Sequence, residues 1–232
     1  MLNKLLRLNW VARIHARNLL RKYNKPIPPF FHGVRGVIHI GAHFGEEILM
    51  YAKGRLKVLW IEANPDCMAL LKKNLKGFEH QKVVCALVGE KSIPKREFFI
   101  SNNNAASSSM LPFEEHKVIW PDVKMVKRMF LHQKTLNQVL VEEGILTGDY
   151  DTLVMDVQGA ELEILRGIPD VEKQFNKIEL EAADFPAYQG CPVREQITDF
   201  LKSKGFKEIE AIQFATDGFK RNYYTVRYIY SN

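Results

Sequence analysis

Residues 37–47 read VIHIGAHFGEE, an apolar run that ends in a Gly-x-x-x-Gly turn and then opens a helical pattern. A second apolar run, VLWIE (58–62), closes on Glu62, 21 positions beyond Gly41. Strand, glycine turn, helix and an acid at the tip of the next strand make half of a nucleotide-binding βαβ unit. That unit commits the chain to a parallel α/β sheet with its ligand at the strand ends. The glycines, Gly41 and Gly45, let the backbone approach a ligand closely, and the Glu62 carboxylate is suited to two ribose hydroxyls. The bland alternative is a plain strand-turn-helix. Position 43 narrows the ligand. A dinucleotide fingerprint has its middle glycine there, whereas this chain has His43, whose side chain would crowd a pyrophosphate. S-adenosylmethionine has no phosphate and needs only the ribose acid and one close approach, so the turn favours it over NAD.

After Glu62, Asn64 caps a helix with Pro65 at its first position, and DCMALLKKNL (66–75) sets Met68, Leu71 and Leu75 on one face. Two further strands are expected, KVVCALV (82–88) and EFFIS (97–101). Ala86 and Leu87, at the tip of the former, are candidates for the adenine rim. The polar segment SNNNAASSSM (101–110) reads as the start of a long loop that runs through HKVIWPDV (116–123) to a helix at TLNQVLVEE (135–143). A loop that long inside a compact domain is uncommon unless it covers a site, so Ser107, Ser108 and Ser109 read as lid or substrate residues, with solvated linker residues as the bland alternative.

The sharpest motif is DTLVMDVQGAELEILRG (151–167). DTLVMDV is a buried-strand pattern that places Asp156 at the carboxyl end. Gly159 permits a tight exit, and ELEILR is a helix stopped by Gly167 and Pro169. Ligands of open α/β sheets bind at the carboxyl ends of the strands, so Asp156 and Glu161 point into one crevice. Methylation of a hydroxyl requires oxygen, methyl carbon and sulfur in line and a group that takes the proton, and Asp156 stands where such a base belongs. His43, in the opposite turn, is the competing base. The bland reading of Asp156 is a cap for the helix that follows.

At 232 residues and 46% hydrophobic content the chain fits one α/β domain with short extensions. Residues 1–45 hold eight cations (Lys4, Arg7, Arg13, Arg17, Arg21, Lys22, Lys25 and Arg35) and no acid, which leaves 25 basic against 27 acidic residues in the remainder. A near-neutral body argues against a broad nucleic-acid face. Residues 1–25 read as a basic amphipathic helix, with Leu2, Leu5, Leu8, Ala12, Ala16 and Leu19 on one side. Its apolar runs are too short for a signal peptide or a membrane span, and it contains no serine, unlike a mitochondrial presequence. It docks on an anionic membrane surface or a partner, or packs on its own domain or a second copy as a homodimer. KPIPPFFHG (25–33) then reads as a hinge. Cys67, Cys85 and Cys191 are odd in number and lack disulfide or metal-ligand spacing, which suggests a reducing, cytoplasmic compartment and no metal site. Cys191 precedes Pro192, the reverse of the Pro-Cys order of RNA cytosine-C5 methyltransferases.

GAHFGEE, WIEANPD, NNAASSSM, TLNQVL, MDVQGAELEILRG, ELEAADFPAYQG and FLKSKGF together resemble an FkbM-type methyltransferase over about residues 36–229. The resemblance implies a class I, Rossmann-like fold with a seven-stranded, mostly parallel sheet and helices on both faces. It also implies S-adenosylmethionine as methyl donor, S-adenosylhomocysteine as product, and a hydroxyl acceptor on a sugar or polyketide-like small molecule. Gly41, Gly45 and Glu62 would hold the cofactor, with Asn64 beside them; Asp156, Gln158, Gly159 and Glu161 would form the motif next to the transferring methyl. Glu181 and Tyr188 would edge the acceptor pocket. Two positions depart from the usual pattern, which has an acid at 39 and asparagine at 43. His39 here would reach the cofactor's amino-acid end.

The expected molecule is therefore a leader and hinge (1–33) followed by a methyltransferase domain (34–232), with one antiparallel strand at NYYTVRYIY (222–230). Its expected acceptor is a glycan or small-molecule hydroxyl, with Trp120, Phe185, Tyr188 and Phe214 as aromatic candidates for stacking on sugar faces. The alternative is a non-catalytic binding module that works through its basic helix. If the leader docks on membranes, the full chain co-sediments with anionic vesicles in a salt-sensitive way, at up to about 1 kcal/mol per well-placed charge, and removal of residues 1–25 lowers the fraction bound. Equal sedimentation of both forms would contradict this.

Overall fold

A computed structural model describes residues 26–231, so the basic leader lies outside the described residues. Strands β1 (Gly36–Ile40), β2 (Lys57–Glu62) and β7 (Thr152–Met155) are apolar on both faces and almost entirely buried, as parallel strands covered on two sides must be. With β3 (Gln81–Cys85), β8 (Lys177–Ala183), β9 (Phe206–Thr216) and β10 (Asn222–Tyr230) they form a seven-stranded sheet in the order β3-β2-β1-β7-β8-β10-β9. Neighbours pair in parallel except at β10, which runs antiparallel to both β8 and β9.

Alternation along each strand divides the core in two. Ile38, Ile40, Leu59, Ile61, Leu153 and Met155 face α4 (Leu136–Glu142), α5 (Glu161–Arg166) and α7 (Arg194–Ser203). Val37, Val58, Trp60 and Val154 face α1 (Ile48–Lys53) and α2 (Pro65–Asn74). Two expected caps are present: the Asn64 side chain accepts from the Asp66 N–H, and Thr135 and Gln138 form a capping box.

Three expectations need correction. Within the stretch read as a hinge, residues 29–31 belong to the body: Pro29–Phe31 makes one 3-10 turn and buries Phe30 and Phe31 beside Tyr51, with Phe31 and Tyr51 ring centroids 5.6 Å apart. A domain boundary at residue 33 therefore cuts through packed residues. The strand expected over 82–88 is broken at Ala86, after which β4 (Leu87–Val88) leaves the main sheet for a second one, β4-β6-β5. The last third of the long loop, up to residue 134, is strand. β5 (Ile93–Ser101) and β6 (Met125–Lys134) form an antiparallel ribbon, and residues 102–124, with the short helix α3 (His116–Ile119), are its tip. After α5, helix α6 (Val171–Gln174) leads into β8.

The ends of β1 and β7 touch through backbone alone. Gly41 has φ +82°, and a Cβ on it would lie 1.8 Å from the Asp156 carbonyl oxygen. The Asp156 N–H donates to the Ile40 carbonyl at 3.0 Å, locking the two strand tips together. Gly41→Ala should cost about 2–4 kcal/mol in denaturant unfolding, from strain plus collision, whereas Gly77→Ala, where nothing lies within 4 Å, should cost only about 1 kcal/mol from its positive φ. Equal costs would show that the close approach relaxes freely.

Candidate active site

The turn after β1 is built around Glu62. This side chain is 7% exposed, and each of its oxygens accepts one backbone N–H at 2.7 Å: Oε2 from His43 and Oε1 from Asn64. Burial pushes its pKa up, against the pull of those amides and of His43. An ionised carboxylate has about four acceptor positions, so two remain for ribose hydroxyls. Gly41 lines the cleft beside Glu62, but Gly45 does not. A Cβ on Gly45 would strike Ile48 and Leu71 side chains at 2.5–2.6 Å, so that glycine serves helix packing rather than ligand approach. Asn64 likewise serves Glu62 and the α2 cap, and is 4% exposed.

The cleft continues over Ala86, Leu87, Phe98 and Met110, an apolar slot suited to an adenine, and is closed by Ala105, Ala106 and Ser108 from the ribbon tip. Opposite them stand Asp156, Val157 and Gln158. The residues fit S-adenosylmethionine: an apolar wall for the base, a buried acid with spare acceptor capacity for the ribose, and glycine where the backbone turns. Phe98, Ala105, Ala106 and Met110 carried no sequence signal beyond their place around the serine-rich segment.

Of the serines, Ser108 lines this cleft and Ser107 lines the neighbouring hollow. Ser109 is a strut, its hydroxyl donating to the Gln158 carbonyl at 2.7 Å. His43, at φ +44°, ties the turn to the ribbon tip. Its Nδ1 lies 2.9 Å from Glu46 Oε1 and its Nε2 2.8 Å from the Asn104 carbonyl. Burial lowers its pKa, but Glu46, the Asn104 carbonyl and Glu62 outweigh that and leave it raised. Both nitrogens face acceptors, an arrangement that suits a ring donating from each, and a ring so protonated has no lone pair for the acceptor's proton. His39 is a core residue: its Nδ1 is 3.1 Å from the Tyr51 hydroxyl, its ring stacks on Trp60 at 5.0 Å, and burial lowers its pKa to about 4. It reaches the wall of a second hollow, shared with Gly41, His43, Glu46 and Asp156.

Asp156 stands between the compartments. It lines the cofactor cleft, the second hollow, and a third formed by Asn103, Ser107, Trp120, Glu181, Phe214 and Tyr223. Burial lifts its carboxyl to about 6; a Gln158 hydrogen bond and His43 oppose the rise, and Glu46 and Glu62 add to it. Because Met155 pairs with Leu180, Glu181 is Asp156's neighbour on β8, and burial together with Asp156 and Glu161 pushes Glu181 well above the ordinary range. Glu161 is 2% exposed and its Oε1 accepts from the Val157 and Gly159 N–H groups, so it shapes the exit turn. Burial first, then Asp156, lift it to about 7. Gly159, Glu161 and Tyr188 lie around a small hollow behind the motif with Cys191 and Tyr223. Phe185 and Tyr188 are core, while Trp120 and Phe214 face the third hollow.

Comparison with known proteins agrees with this geometry. Residues 39–208 match the methyltransferase FkbM domain. Among curated protein sequences none matches. Of solved structures, TrmK from M. capricolum with S-adenosylhomocysteine is 9% identical, over 93% of this chain and 68% of that one, with a TM-score of 0.50. Magnesium protoporphyrin IX methyltransferase from Synechocystis PCC 6803 with bound S-adenosylhomocysteine is 13% identical, over 97% and 89%, with a TM-score of 0.49. These likenesses concern the fold alone. The family match spans most of the chain, and the protein is a member of the FkbM methyltransferase family. With that membership, S-adenosylmethionine is the methyl donor and S-adenosylhomocysteine the product.

Glu62→Ala removes both the ribose acceptors and the clamp on His43 and Asn64. Calorimetry should show affinity for S-adenosylhomocysteine reduced roughly tenfold or more, as for lost charge-assisted hydrogen bonds. Unchanged affinity, or NAD binding in its place, would contradict the assignment.

Proposed function

We propose that the protein transfers a methyl group to a hydroxyl of a sugar, glycan or similar small molecule. The observation that carries this reading is the position of Asp156, which borders both the cofactor cleft and the two hollows on the acceptor side. S-adenosylmethionine supplies an electrophilic methyl on sulfur. Asp156 orients the acceptor hydroxyl and takes its proton as the carbon–oxygen bond forms, while the electron pair of the broken bond stays with sulfur. Glu181 and Asn103 offer hydrogen-bonding partners to a polyol, and Trp120 and Phe214 offer faces on which a sugar ring stacks. A non-catalytic binding module, the alternative, would have no use for a carboxylate lifted toward neutrality at that junction. As part of the same proposal the enzyme works in the cytoplasm, with residues 1–25 against an anionic membrane surface.

The test is incorporation of labelled methyl from S-adenosylmethionine into a carbohydrate extract. Because Asp156 must be ionised to accept a proton, the rate should rise with pH through about 6. Asp156→Asn should lower turnover by about 10²–10⁴ while leaving S-adenosylhomocysteine affinity nearly unchanged. His43→Asn, which keeps a side chain tolerant of positive φ, should cost far less. A dead His43→Asn enzyme beside a near-normal Asp156→Asn enzyme would reverse the roles, and label found only in amines or nucleic acid would replace the acceptor class.

A further inference from the structure

Tyr188 is 1% exposed, so its hydroxyl is not available to line the acceptor pocket. The hydroxyl is directed at Gln158, itself held at φ +55°, a left-handed conformation uncommon outside glycine. The Gln158 amide is clamped at both ends. Tyr188 donates to its Oε1 at 2.5 Å, and its Nε2 donates to Asp156 Oδ1 at 2.5 Å. The next nearest acceptor for the Tyr188 hydroxyl is the Ser107 carbonyl of the ribbon tip, 3.4 Å away. Ser109, on the same tip, holds the Gln158 carbonyl.

A hydroxyl has one proton to give, and that gives this chain a direction. With Asp156 ionised, only one amide orientation satisfies both ends: NH₂ toward the carboxylate, oxygen toward tyrosine. The flipped amide would set its oxygen against a negative oxygen. With Asp156 protonated, the flipped arrangement becomes complete. Asp156 then donates to the amide oxygen, the amide donates to the tyrosine oxygen, and the tyrosine proton turns to the Ser107 carbonyl.

We infer that Tyr188 is a positioning residue for methyl transfer: through the Gln158 amide it aims the Asp156 carboxylate and holds it in its proton-accepting form. It passes Asp156's change of protonation on to the ribbon tip that covers the cofactor cleft. The inference rests on the proposed role of Asp156 as proton acceptor. Around Asp156 the charged neighbours are Glu46, His43, Glu62, Glu161 and Glu181; around Tyr188 they are Asp156 and Glu161, with the Tyr223 hydroxyl. Of the groups pressing on Asp156, Gln158 is the neutral donor, and the Tyr188 hydroxyl is what fixes its orientation. The ring has a separate duty, packing on Phe113 and His116 at centroid distances of 5.4 and 5.5 Å, and Tyr188→Phe keeps it.

The experiment is a pH titration of Asp156 by carboxyl ¹³C NMR in the S-adenosylhomocysteine complex, with Asp156→Asn assigning the resonance. Gln158→Met should move the midpoint up by about one pH unit, the usual effect of losing one hydrogen bond to a charged group, and Tyr188→Phe should move it up by a smaller amount, because it removes the partner that orients the amide and leaves the Gln158–Asp156 bond itself in place. The double variant should move it no further than Gln158→Met alone, because without the amide the Tyr188 hydroxyl has no route to Asp156. A Tyr188→Phe midpoint equal to wild type, or shifts that add, would overturn the inference. The titration needs no acceptor, so its failure leaves the proposed hydroxyl methylation standing, and failure of the wild-type chain to label any carbohydrate leaves the titration result intact.

Discussion

The Asp156 carbonyl oxygen occupies the space a β-carbon would need on residue 41, and the shape of the cleft follows from that close approach. It brings the tips of β1 and β7 into contact without side chains between them. The glycine turn then folds over the end of β2, where the buried Glu62 carboxylate draws in the His43 and Asn64 amides. Backbone, not side-chain bulk, therefore sets the floor of the site. The side chains that remain, Asp156 at the end of β7 and Glu181 from β8, project above it toward the neighbouring hollows.

Four carboxylates at adjacent strand and helix ends would repel one another, and the fold treats each differently. Glu62 and Glu161 are held by backbone N–H groups and so act as fixed parts of their turns. Asp156 has a neutral amide as its donor, and its carboxyl titrates near 6, where a base is most useful close to neutral pH. Glu181, buried and crowded by Asp156, Glu161, Glu47 and Glu179, is pushed well above the ordinary range, toward the neutral form. A neutral carboxyl donates as well as accepts hydrogen bonds, which suits a polyol better than an anion.

What the sequence made legible were the elements buried on both faces. VIHIG, VLWIE and DTLVMD are continuous apolar runs that end in a glycine or an acid, and all three fall where they were expected. β6 escaped notice because it is mostly exposed: MVKRMFLHQK mixes cations among its apolar residues, so no face of it announces itself. With β6 hidden, the strand at 97–101 had no visible partner, and everything from there to residue 134 read as one long loop. The break at Ala86 has no residue signal either, since an apolar run reads the same whether it stays in one sheet or changes sheets. Among site residues, type and spacing located Glu62, Asp156 and Glu161, but not what each hydroxyl or amide touches. Gly45 serves packing, Ser109 is a strut, and Tyr188 points inward to Gln158, all of which depend on long-range contacts.

The most direct test of the account is a crystal structure of the S-adenosylhomocysteine complex. The adenine should lie between Leu87, Phe98 and Met110, both ribose hydroxyls on Glu62, and the sulfur should face the Asp156 carboxylate. A product bound with its ribose away from Glu62, or with its sulfur turned from Asp156, would contradict it.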